Sequence, residues 1–231
     1  GLLHNFKAQA KITTAVGNID LIGSSNRENP QDNITYQAKI NSKQFDIGKF
    51  LGIEILGNGA LNVDAKAKVG DLKNLKCDLI ANLENFEING NRYNSIEVEG
   101  EMKEGIISAQ CDIFDQAAMV NLNCEMDLMN NMATVLRADL NEINLQKMNF
   151  FNFPDTTAVI STDLIARVNG FNLDNLRAFI DFRNAIISTQ SKNYDIDYLN
   201  IRTRNDSIEN ILTLNSNILS LVAEGKFTIP S

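Results

Sequence analysis

Residues able to bind metals or attack a substrate are few in this 231-residue sequence, and they are not grouped. The three cysteines are Cys77, Cys111 and Cys124, with no Cys-x-x-Cys spacing, and the single histidine is His4. Because a zinc site takes four closely spaced ligands of these types, zinc binding is excluded. The sequence also has no Gly-rich phosphate loop and no serine in a nucleophile-elbow setting. We therefore expect no enzyme activity and no cofactor.

The acidic residues that come nearest to a metal cluster are Glu97, Glu99, Glu101 and Glu104. The first three alternate with apolar residues or glycine, which is the pattern of the solvent face of a strand. No DxDxDG calcium loop occurs. The sequence therefore predicts no metal site. The three cysteines fall on the apolar faces of predicted strands, so we expect them to be small buried hydrophobic residues.

Most of the chain alternates apolar and polar residues with the period of a β-strand. In residues 61–69, Leu, Val and Ala alternate with Asn, Asp and Lys. The same alternation recurs in residues 6–12, 34–40, 75–83, 107–113, 120–128, 160–168 and 176–182. Asn89 and Gly90 tolerate positive φ and predict a tight hairpin between two of these runs. The pattern predicts an all-β meander of antiparallel strands.

Two stretches of the chain share one pattern, which indicates a repeat of about 100 residues. YQAKINSKQFDIGKFL at 36–51 matches LRADLNEINLQKMNFF at 136–151, and Ala138 lies 100 positions after Ala38 (138 − 38). In both copies the end of the stretch, 45–51 and 145–151, breaks the period of two and predicts a short helical connector or an apolar turn. We divide the chain into 1–56, the end of a preceding repeat, then 57–153 and 154–231, two repeat modules in one continuous β body.

Composition and charge restrict the possible partners. With 44% hydrophobic residues the chain can bury a large core, and a net charge of −8 with a pI near 4.7 disfavours nucleic acid and anionic head groups. The sequence has no apolar run of about 18 residues and no signal segment, and it opens on Gly1. We expect it to be a fragment of a longer protein.

No long amphipathic helix is predicted to cover the apolar side of the strands, so the sheet must cover itself. It can fold into a sandwich, close into a barrel or curl into a trough. On the residues alone a sandwich or another closed core ranks first, because filled cores are the norm.

Residues 61–113 resemble the repeated modules of AsmA-like and TamB-like envelope proteins, in the form found in Bacteroidetes. The resemblance rests on Asp71-Leu72-x-x-Leu75 after an amphipathic strand, on the Phe-x-x-Asn-Gly-x-x-Tyr-x-x-Ile phrase of Phe86–Ile96, and on the two apolar connectors. The second module departs from it, because Ser191-Lys192-Asn193 replaces the Asn-Gly turn.

The resemblance implies an elongated, twisted antiparallel sheet curled into a trough, in a periplasmic protein anchored in the inner membrane. It implies a role in moving phospholipid between membranes or in assembling outer-membrane proteins. The implied partners are a phospholipid or other acyl-chain lipid, adjacent repeats and an outer-membrane β-barrel, with no nucleic acid. The alternative is a repetitive β-sandwich or solenoid module of a surface protein that binds protein or glycan. The residues expected to line the lipid groove are Leu61, Val63, Ala65, Ala67, Val69, Leu79, Leu83, Val120, Leu122, Met126, Leu128, Ile160 and Leu164.

Overall fold

A computed structural model describes residues 5–27, 33–68, 75–116, 118–148, 158–169, 177–205 and 210–225. These residues form fourteen β-strands and one short helix. In chain order the elements are β1 (Phe6–Thr14), β2 (Gly17–Asn26), β3 (Thr35–Asp46), α1 (Ile47–Leu51), β4 (Asn58–Lys68), β5 (Lys76–Ile88), β6 (Asn91–Lys103), β7 (Ile106–Phe114), β8 (Met119–Asp127), β9 (Ala133–Asn144), β10 (Val159–Asn169), β11 (Arg177–Ser188), β12 (Asn193–Asn205), β13 (Asn210–Ser216) and β14 (Ser220–Gly225).

The strands form one antiparallel sheet in the order of the chain, β1 to β14. The predicted all-β meander is therefore confirmed. The sheet is neither closed nor strongly curled, so the expected curl into a trough is not observed. Within the described ranges every strand belongs to this one sheet, so the alternative of two facing sheets is wrong for this part of the chain.

The absence of strong curl in the sheet agrees with where its bulges lie. Bulges bend a strand and add twist, and sheets use them to curve and close. In the described ranges, register shifts interrupt the pairings of β2 with β3, β3 with β4, β9 with β10 and β10 with β11. The pairings from β4 to β9 run in unbroken register. The middle of the sheet therefore lacks the local bends that a deep trough requires.

The first connector contains the predicted helix, which is α1. The side chain of Asp46 caps the helix by accepting a hydrogen bond from the Lys49 backbone N–H at 2.9 Å. The helix ends at Gly52 in the left-handed conformation. Gly48 lies against the backbone of residue 56 so closely that a Cβ atom would overlap it, which explains the glycine at this position. The connector thus folds back tightly onto the start of β4.

The second connector is a turn over residues 145–148, and the rest of it lies outside the described residues. The backbone N–H of Met148 donates to the carbonyl of Asn144 at 3.0 Å, which is the spacing of one helical turn. A helix is therefore confirmed for the first connector and not for the described part of the second.

The best-buried core lies at one end of the sheet, where both connectors meet it. Phe86 of β5 and Tyr93 of β6 stand opposite each other and are the largest fully buried side chains. Ile47 from the first connector and Met148 from the second pack against this core. The Tyr93 hydroxyl donates to the Met148 sulfur at 2.9 Å. Full burial of one aromatic side chain contributes about 1.5–3 kcal/mol to folding, so the connectors stabilise this end of the sheet.

The two modules place their strands at matching intervals. β4 begins at Asn58 and β10 at Val159 (159 − 58 = 101), and β5 and β11 differ by the same interval (177 − 76 = 101). The sheet continues without a break across both predicted module boundaries, because β3 pairs with β4 and β9 with β10. The module boundaries themselves remain a prediction.

Tyr93 and Tyr194, which the repeat matches at an interval of 101 residues (194 − 93), hold equivalent places in the strand register but differ in burial. Tyr93 is 2% exposed, whereas Tyr194, expected to be its counterpart, is 47% exposed. Each tyrosine follows its cross-strand partner by seven residues (93 − 86 and 194 − 187), so the two hairpins have the same length. Asn89 has positive φ as predicted in the first hairpin, and hydrogen bonds between Thr189 and Lys192 close the second. Tyr93 is covered by Met148 of the second connector, whereas the side chain of Tyr194 stands toward solvent.

Candidate functional site: an apolar face of the sheet

One face of the sheet carries rows of apolar side chains that run across the strands. Residues paired in the strand register lie side by side, so the register identifies each row. The row that we call the central row contains Ala10, Leu21, Ile40, Val63, Ala81, Val98, Cys111, Leu122, Ala138, Leu164, Phe182, Leu199 and Ser216.

A second row, two residues along each strand, contains no polar side chain across all fourteen strands. Its members are Ala8, Gly23, Ala38, Ala65, Leu79, Gly100, Ala109, Cys124, Leu136, Ala166, Ile180, Ile201, Leu214 and Leu221. We call it the small-residue row, because alanine and glycine predominate in its first half. Together with the flanking apolar residues, the two rows form what we call the apolar face.

The structure brings most of the predicted groove residues onto this face. The central and small-residue rows hold Val63, Ala65, Leu79, Leu122 and Leu164, and flanking rows hold Leu61, Ala67, Leu83, Val120 and Met126. Ile160 packs against the core at the end of the face. Leu128 lies in the turn after β8, where its backbone N–H donates to the Gly105 carbonyl at 2.9 Å. Val69 lies outside the described residues.

Several residues outside the predicted groove set extend the face to the outer strands, among them Leu21, Ile40, Phe182 and Leu199. The signal that identifies them is the same period of two in β2, β3, β11 and β12. The alternation does not give the pairing register of the strands, and only this register shows that all four residues lie in the central row.

The middle of the apolar face has no second layer of protein over it in the described part of the chain. The extensive contacts of each strand are with its neighbours in the sheet, and α1 contacts β4 at the core end. Val63 and Leu122 are accordingly only half-buried, although they lie in the middle of the face. Large apolar surface left open in this way marks a binding surface more often than a folding core.

The opposite face is polar and solvated. Glu97, Glu99 and Glu101 are exposed there, as the alternation predicts, and Glu104 is exposed in a turn. Ion pairs link neighbouring strands on this face, including Lys39 with Asp64 at 2.7 Å. The described residues contain no group of His, Cys, Asp or Glu that would hold a metal ion.

All three cysteines lie on the apolar face, and all three are half-buried rather than fully buried. The expectation that they are buried is therefore met only in part, because no second layer covers these side chains in the described ranges. Burial raises the pKa of the Cys111 thiol, and the nearby Asp112 carboxylate raises it further. Burial also raises the pKa of Cys124.

We expect Cys111 and Cys124 to react slowly with iodoacetamide at pH 7.5 in the folded protein. The thiolate is the reactive form, and a pKa above the usual 9.0 lowers its fraction at this pH. The rate should rise as the pH is raised, and denaturation in urea should raise it at constant pH. Mass spectrometry of the labelled peptides measures each site. Equal rates for the native and urea-denatured protein would contradict the placement of these thiols among apolar side chains.

The single helix of the described residues, α1, has five residues and is too short to cross a membrane. Comparison of the chain with protein-family models, curated proteins and solved structures finds no match.

Proposed function

We propose that the apolar face binds the acyl chains of lipids, and that the chain is a non-catalytic segment of a lipid path. The observation that carries this proposal is the small-residue row, which is apolar across fourteen strands and open to solvent in its middle. A surface of this kind is costly in water unless a ligand or partner covers it.

The dimensions of the face suit extended hydrocarbon chains. Its strands of nine to thirteen residues between β1 and β12 correspond to about 30–40 Å at 3.3 Å per residue. Fourteen strands spaced about 4.8 Å apart extend for roughly 60 Å in the other direction. Small side chains such as Ala65, Gly100 and Ala109 project little from this face, so they leave room for a hydrocarbon chain to lie against the sheet.

Apolar contact alone can hold a lipid on this face. Burial of hydrocarbon contributes about 25 cal/mol per Å² before the cost of ordering the ligand. No contact with a head group is required, so we expect low selectivity among acyl-chain lipids. The absence of strong curl means that each lipid lies on an open surface, which favours exchange along the sheet over deep sequestration.

The wider setting of the proposal rests on the resemblance to AsmA-like and TamB-like proteins. On this basis we place the chain in the periplasm, in a parent protein anchored in the inner membrane with a role in outer-membrane homeostasis. The sheet would continue into adjacent repeats, and an outer-membrane β-barrel would be its partner. β1 and β14 each have one strand neighbour in the described sheet, so further strands can add at both edges.

Extraction of the purified protein with organic solvent, followed by mass spectrometry, tests the proposal. We expect phospholipid or another acyl-chain lipid in amounts comparable to the protein, and uptake of a fluorescent fatty acid by the delipidated protein. A protein purified without lipid that also fails to take up the probe would contradict the proposal. Such a result would favour the alternative, a module whose apolar face is covered by another protein.

A further inference from the structure

A second candidate site lies on the polar face, at the end of the sheet opposite the Phe86–Tyr93 core. A cleft of about 950 Å³ opens where β10 and β12 end and β9 and β11 begin. Three arginines line it, Arg167, Arg177 and Arg202, together with the side chain of Phe179. We call this group the arginine cleft. The arginines and Phe179 project from the polar face, because they alternate with members of the small-residue row such as Ala166 and Ile180. Residues of the other side, Thr134, Val168, Ala178 and Thr203, complete the lining at the strand ends.

The strand register builds the centre of the arginine cleft. Arg167 of β10, Phe179 of β11 and Arg202 of β12 stand directly opposite one another. The Arg202 guanidinium carbon lies 5.1 Å from the centre of the Phe179 ring, and that of Arg167 lies 5.9 Å from it. Such cation–π contacts hold the guanidinium groups against the ring while their N–H groups, which lie in the guanidinium plane, remain free to donate.

The charge of the arginine cleft is not neutralised by the described residues. Its three arginines form no ion pair and no side-chain hydrogen bond there, in contrast to Arg92 with Glu87 and Arg183 with Asp181. The chain as a whole carries a net charge of −8. Three convergent cations in an acidic protein repel one another, which is unfavourable unless an anion joins them.

We propose that the arginine cleft binds a phosphate-bearing ligand. Guanidinium groups donate paired hydrogen bonds to phosphate oxygens, and a group with two negative charges matches several such donors better than one carboxylate does. The Asn169 side chain also lines the cleft and adds a polar amide. The volume exceeds that of a phosphate ion and has Phe179 and Val135 in its lining, so the ligand has a larger body attached to the phosphate.

A phosphate group of this kind comes either from a soluble phosphate ester or from a lipid head group. Isothermal titration with inorganic pyrophosphate and with monomeric, short-chain phosphatidic acid separates these sources. Binding of both probes with similar affinity indicates recognition of the phosphate itself, as expected for a soluble ester. Much tighter binding of the phosphatidic acid that is lost in Arg202→Gln indicates a lipid head group in the cleft, because acyl chains held on the apolar face would not respond to this substitution. Binding of neither probe would overturn the proposal.

Substitution of the arginines tests whether the probe binds in the arginine cleft. We expect Arg167→Gln, Arg177→Gln and Arg202→Gln each to weaken binding of the better probe about tenfold. Arg202→Lys keeps the charge but loses the planar pair of donors, so it should also weaken binding. Lys39→Gln is the matched control, since it removes one positive charge from the same face in β3. An equal loss of affinity in Lys39→Gln would overturn the proposal, because it would show that binding depends only on net charge.

Each variant is also followed by thermal unfolding, so that loss of binding is not confused with loss of the fold. The site is on the opposite face from the lipid surface proposed above. Failure of one proposal therefore leaves the other intact, and Arg202→Gln is expected to retain acyl-chain binding.

Discussion

Leu122→Glu is expected to abolish acyl-chain binding while the midpoint of thermal unfolding changes by only a few degrees. Leu122 stands in the central row between Cys111 and Ala138, near the middle of the apolar face. A carboxylate there interrupts the hydrocarbon surface on which a lipid would lie. Because no described element covers the position, the charged group can still reach water, and the fold does not bury an unpaired charge. Extracted lipid and the unfolding midpoint are measured on one preparation.

Asn123→Glu is the matched control for this variant. Asn123 is the next residue of β8, is exposed, and faces Arg137 on the polar side. The same change in charge should therefore leave lipid binding unaltered. Val63→Glu, with Asn62→Glu as its control, repeats the comparison on β4. If Leu122→Glu or Val63→Glu instead loses several kcal/mol of stability, the apolar face is covered by protein and the lipid surface is wrong.

Phe86→Ala is expected to cause the largest loss of stability of any single substitution considered. The side chain is 1% exposed and packs at the core where both connectors meet the sheet. Truncation of a buried phenylalanine costs about 3–5 kcal/mol, because it removes apolar contacts and leaves a cavity. For a chain of this size, that loss corresponds to a decrease in the unfolding midpoint of roughly 10 °C. Denaturation with urea and thermal unfolding measure the two quantities.

Phe114→Ala provides the comparison for Phe86→Ala. Phe114 is 60% exposed at the end of β7, so its truncation should change the free energy of unfolding by no more than about 0.5 kcal/mol. Equal effects of the two substitutions would mean that the stability of the sheet does not depend on the core between the connectors.

The strands themselves are determined by the amino-acid sequence. The alternation around Val63 and Leu122 specifies strands with one apolar side, because side chains of a strand point to opposite faces in turn. Asn89-Gly90 specifies a tight hairpin, because both residues adopt positive φ at low cost. The helix after Asp46 is likewise a local feature, with its cap at one end and Gly52 at the other. The all-β class and most residues of the apolar face therefore follow from local patterns.

The tertiary structure alone decides what lies over that face and which distant residues meet. A period of two identifies the apolar side of each strand, but it is the same in a sandwich, a barrel and an open sheet. The choice among them depends on bulges and register, which are set by pairing between strands. Tyr93 is buried and Tyr194 is exposed although both hold the same place in the register, because the second connector packs against the sheet at Tyr93. Arg167 and Arg202 are 35 residues apart (202 − 167), and only the pairing of both strands with β11 brings them to opposite sides of Phe179.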